Sequence, residues 1–127
     1  MTKIDEAVKR CIDSIAIAQQ NIVALNTLSR RMTRNGQENE DVRKAIGVLH
    51  GQLHYDLTAA WEQLSWFAPI SKQAIELLAN RTRTWFQRED TAIMQWLGME
   101  GSYYIEDKDA FRREVLEMFG AMEEVVP

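Results

Sequence analysis

Residues 3–32 read KIDEAVKRCIDSIAIAQQNIVALNTLSRRM, and the apolar spacing in this stretch decides the fold. Ile4, Val8, Cys11, Ile15, Ala18, Ile22, Leu25, Ser29 and Met32 alternate four and three residues apart, the seam of a helix packed lengthwise on another helix. Only Ser29 interrupts its apolar character. Ile12 and Val23 flank the seam on one side, Ile17 and Leu28 on the other, so the apolar arc is wider than a two-stranded coil requires and predicts two or more helical neighbours.

The period stops at residues 33–40, TRNGQENE, a polar stretch containing Asn35-Gly36, which reads as an interhelical loop. A second helix is expected from about Asp41 to Ala68, with Val42, Ile46, Leu49, Leu53, Leu57, Ala60, Leu64 and Phe67 on one face. It ends before Pro69, because the residue preceding proline disfavours helical geometry. At about 1.5 Å per residue the two arms of this hairpin are each roughly 40 Å long.

A third helix is expected from Ser71, as N-cap, to Gly98, with Ala74, Ile75, Leu78, Ala79, Trp85, Phe86, Ala92, Ile93, Trp96 and Leu97 on one arc. The polar run from Asn80 to Thr84 leaves the phase of that arc unchanged, so the stretch reads as one helix. Residues 99–106, MEGSYYIE, show no period. Asp107 can cap a last helix that turns Phe111, Val115, Met118, Phe119 and Met122 inward. Four amphipathic helices with short connections predict a single all-α domain over 1–127, an up-down bundle of four helices with a long N-terminal hairpin. Long arms beside a short last helix also favour a homodimer.

Composition agrees with a globular chain: 127 residues, 46% hydrophobic and 27% charged. Cys11 is the only cysteine, which rules out an internal disulfide and a cysteine-based zinc site and points to a reducing, cytoplasmic setting. The longest aliphatic run near the N-terminus is Ile15-Ala16-Ile17-Ala18, so neither a signal segment nor a membrane span is expected. The net charge of −4 is uneven. Residues 1–88 hold 12 Lys/Arg against 9 Asp/Glu, and residues 89–127 hold 3 against 10. That balance is too mild for a strongly basic nucleic-acid binder or for a mimic of DNA charge.

Candidate chemistry is sparse. His50 and His54 are the only histidines, and their i, i+4 spacing on a helix points two imidazoles the same way, as two metal ligands require. Gly51 stands where a zincin motif has its glutamate, no Glu-x-x-His pair is present, and a third ligand has to come from Asp56, Glu62, another helix or another chain. The bland alternatives are a pair of partly buried boundary histidines or a close helix contact at Gly47. Cys11 lies within the first seam and reads as a buried apolar residue. No serine sits in a Gly-x-Ser-x-Gly setting and no phosphate loop is present, so an enzyme is not expected, and neither is a cofactor. The terminal pair Glu123-Glu124 reads as solvated.

Two arginine groups make a nucleic-acid module the second reading: Arg30, Arg31 and Arg34 at the end of the first helix, and Arg81, Arg83 and Arg88 around Trp85 and Phe86. Cations in a last helical turn are also favoured by the helix dipole, and Trp85 and Phe86 lie on the core arc. The leading reading rests on a surplus apolar stripe. Val48, Tyr55, Ala59 and Trp66 run 7-4-7 opposite the core face of the second helix, with Gln52 and Glu62 between them. An exposed Tyr and Trp stripe marks a contact site, and a regulator, adaptor or inhibitor acting on another protein follows from it. The same stripe is also what a central helix covered on both sides would show. Tyr103 and Tyr104 either extend that surface or fold over the bundle end.

Overall fold

A computed structural model describes residues 4–81, 84–99 and 108–122, and these form an all-α bundle. Helix α1 spans Glu6–Arg34 and α2 spans Glu40–Ser65. Asp5 caps α1 by accepting the Ala7 N–H at 2.8 Å, and Asn39 caps α2 by accepting the Val42 N–H at 2.9 Å. Between them Gly36 takes φ +69°, which lets the Gln37 N–H return to the Met32 carbonyl and the Gly36 N–H to the Thr33 carbonyl. That pair of bonds closes α1 in a Schellman turn and reverses the chain. The hairpin read from the sequence is the frame of the fold.

Past α2 the Ala68–Pro69 peptide is cis, and a two-residue strand β1, Ile70–Ser71, pairs in parallel with β2, Ala121–Met122. The next helices are α3, Lys72–Arg81, and α4, Thr84–Trp96, followed by α5, Lys108–Phe119. Ser71 caps α3 by accepting the Ala74 N–H at 3.1 Å. Gly98, at φ +78°, ends α4 in a second Schellman turn. Helix α3 is described up to Arg81 and α4 from Thr84, so the expectation of one continuous helix from about Ser71 to Leu97 turns on residues 82 and 83, which lie outside the described residues. The described residues hold five helical segments.

The seam of α1 is buried as its spacing requires: Val8, Cys11, Ile15, Ala18, Ile22, Leu25 and Ser29 are all inside, and so is Ile12. Its other flank is not. Ile17 is 57% exposed and Leu28 also faces solvent, so neighbours cover only the seam and the Ile12 and Val23 side. On α2, Ile46, Leu57, Ala60 and Leu64 are buried, whereas Leu49 and Phe67, expected on that face, are exposed. On the later helices Ile93, Val115 and Phe119 are buried, while Ala92 and Met118, expected inward, are exposed. The side chains of Trp85, Phe86, Phe111 and Met122, together with Asp107, Tyr103, Tyr104, Glu123 and Glu124, lie outside the described residues. Trp61 of α2 stacks on Phe119 of α5, with centroids 5.8 Å apart, and ties the last helix to the hairpin.

Three contacts give the direction of the third layer. Arg81 pairs with Asp13, Asn26 with Glu89, and Trp96 with Thr33, so α3 and α4 climb along α1 in the same sense. No helix among the described residues is long and apolar enough to cross a membrane. Replacing fully buried Ile22 with Ala is expected to cost about 2–5 kcal/mol. Ile17→Ala, five residues earlier on the solvent side, is expected to stay within about 0.5 kcal/mol, with both read from urea denaturation midpoints.

Candidate functional site

Helix α4 carries two adjacent carboxylates. Successive residues on a helix diverge by about 100°, so Glu89 and Asp90 reach different neighbours. Glu89 turns to α1, where its Oε2 accepts from the Asn26 side-chain amide and from Arg30 at 3.3 Å. Asn26 is almost fully buried, so this bond satisfies a polar group within the core. Two turns on, the Trp96 indole N–H donates to Thr33 Oγ1 at 2.8 Å, and the Arg43 guanidinium of α2 lies over the same indole, 5.2 Å from its centroid.

Asp90 turns to α2. Its Oδ1 lies 2.8 Å from Nε2 of His50 and 2.8 Å from Nε2 of His54. The i, i+4 spacing brings the two rings together, their centroids 4.5 Å apart. For both contacts to be hydrogen bonds, each imidazole carries its proton on Nε2. The side chains are 5% exposed at His50, 14% at Asp90 and 37% at His54, so the cluster is closed below and open on the His54 side. Near Gly47 a helix contact does exist: a Cβ there would meet Leu97 at 3.7 Å, an ordinary packing distance.

Burial, the largest single influence on the Asp90 carboxyl, pushes its pKa upward, but the hydrogen bonds from His50 and His54 outweigh it and the net shift is down. The His54 imidazole is raised, chiefly by its hydrogen bond to Asp90 and against the opposing effect of burial.

The histidines were legible from their spacing; their carboxylate partner was not. Asp56 and Glu62, the α2 carboxylates first considered, are exposed, and Asp56 instead accepts from Gln52 at 3.2 Å. Asp90 precedes Ile93 by three residues and Leu97 by seven, so it falls on the apolar arc of its helix. A charge on an apolar arc is the signal that marks it.

The apolar stripe of α2 faces outward. Val48 is exposed, Tyr55 is 71% and Trp66 70% exposed, and Ala59 is half-buried. No other part of the described chain covers this stripe as it would on a central helix.

Arg30 is paired with Glu89 and Arg81 with Asp13, Arg31 and Arg34 stand at the C-terminal end of α1, Arg88 has its own interaction within the protein, and Arg83 lies outside the described residues. Cys11 is buried, and burial pushes its thiol up, away from the reactive thiolate. No family model matches the chain, and no curated protein and no solved structure matches it either.

The two shifts act at opposite ends of the pH scale. A raised His54 contributes stability that is fully present below the unfolded histidine pKa and fades as pH rises through the folded value. A depressed Asp90 contributes stability that is present above the unfolded carboxylate pKa and is lost as pH falls through the folded value. In Asp90→Asn the His54 ring, followed by NMR, is expected to titrate closer to the ordinary value of about 6.5 than in the wild type. An unchanged His54 titration would show that Asp90 is not its partner.

Proposed function

We propose that the chain works by contact, without chemistry of its own, and that the outer face of α2 is the contact surface. The observation that carries this reading is the exposure of Tyr55 and Trp66 on a stripe whose spacing is its own mirror image. Val48, Gln52, Tyr55, Ala59, Glu62 and Trp66 follow a 4-3-4-3-4 order, a second heptad seam on the side of α2 away from the core.

A sequence of spacings that reads the same in both directions suits a two-fold pairing with a second copy of α2 running antiparallel. With the axis at residue 57, Val48 meets the partner's Trp66, Tyr55 meets the partner's Ala59, and Gln52 meets the partner's Glu62. Each apolar layer sets a large side chain against a small one, and the remaining layer joins an amide donor to a carboxylate acceptor. Like charges do not oppose one another in any of these layers. A polar layer of this kind fixes register at some cost in stability. The homodimer read from the long helices thus acquires a definite surface, and a regulator, adaptor or inhibitor of a larger assembly remains the role that fits it.

Sedimentation equilibrium is expected to show a dimer. The double variant Tyr55→Lys/Trp66→Lys is expected to pair at least about a thousandfold more weakly, since the dimer loses four aromatic anchors at about 1 kcal/mol or more each, with the helical circular-dichroism signal retained. Ile17→Lys, which alters an exposed apolar residue of α1, is expected to leave the dimer intact. A monomeric wild type at the highest attainable concentration, or a double variant that still pairs, would remove this reading.

A further inference from the structure

We infer that His50, His54 and Asp90 form a binding site for a divalent transition-metal ion of the zinc, cobalt and nickel class. The site lies on the edge of α2 that faces α4, away from the outer seam, and does not depend on the contact function proposed above. Two imidazole nitrogens and one carboxylate oxygen are the donor set these borderline ions prefer, whereas magnesium and calcium select oxygen ligands.

The three donor atoms already converge, all lying within 4.8 Å of one another. An ion about 2.1 Å from each in tetrahedral geometry needs donors about 3.4 Å apart. The Nε2–Oδ1 separations of 2.8 Å therefore open by little more than half an ångström. Binding also requires each ring to hold its proton on Nδ1, so that both Nε2 lone pairs face the ion.

The framework is built before any ion arrives. His50 and His54 sit one turn apart in the interior of a 26-residue helix. Asp90 sits on α4, which is fixed independently by Glu89 on Asn26 and Arg30, by Trp96 on Thr33, and by fully buried Ile93. Glu89 is occupied by those α1 partners and does not supply a fourth ligand. The arrangement accordingly offers three protein ligands and leaves a coordination position on the exposed His54 side, where solvent or a small exogenous ligand completes the shell.

The test uses untagged full-length protein stripped of metal with a chelator. Zinc is titrated by calorimetry and cobalt by its visible d–d absorption. One equivalent per chain is expected, with a melting temperature raised by zinc and unmoved by the same concentration of magnesium. His54→Ala and Asp90→Asn are expected to weaken zinc binding by about a hundredfold or more and to abolish the zinc-induced rise in melting temperature. His54 is the more exposed histidine, so His54→Ala keeps its metal-free helical signal and separates lost ligation from lost folding. Absence of saturable zinc binding to the wild type, or binding that persists unchanged in both variants, overturns the inference.

Discussion

The packing of this bundle depends on how α4 is docked against the α1–α2 hairpin. The helix buries Ile93 completely and, within one turn of it, sends Glu89 to α1 and Asp90 to α2. The apolar contact supplies the burial, and the two carboxylates fix rotation and height, because neither can be moved without leaving a buried Asn26 or His50 unpaired. Buried polar pairs of this kind select one arrangement among the several that a smooth apolar arc would allow.

From that docking the surface follows. α1 and the helices beside it take the inner face of α2, and α4 takes the edge that carries His50 and His54. The outer seam with Tyr55 and Trp66 is left uncovered by the described chain. A helix that is apolar on opposite sides and covered on only one leaves apolar side chains in water, the feature on which the proposed contact rests. The same helix thus carries an exposed apolar seam on its outer side and a polar cluster on the edge facing α4.

What could be read without coordinates was whatever repeats along one helix. The α1 seam, the Gly36 reversal, the Ser71 cap and the Gly98 stop are local, and all four are present. Ile17, Leu28, Leu49 and Phe67 were misplaced because apolarity on a wheel does not say which flank meets a neighbour. At the candidate site the i, i+4 histidines were local and visible. Asp90 lies 36 residues beyond His54 in the chain, and only the tertiary docking of α4 brings it there. Asn26 and its partner Glu89 were missed in the same way, being 63 positions apart in the chain.

The orientation of two copies of α2 tests the account most directly, through dipolar electron-spin distances between nitroxides on Thr58→Cys or Lys44→Cys in a Cys11→Ala background. Antiparallel pairing about residue 57 predicts a Lys44 distance of about 40 Å, from 26 residues of axial separation at about 1.5 Å each. Labels at Thr58 should lie close to the interhelical spacing of about 10 Å. Equally short distances at both positions would mean parallel pairing, and no intermolecular coupling at either would mean that the outer seam of α2 does not meet a second copy.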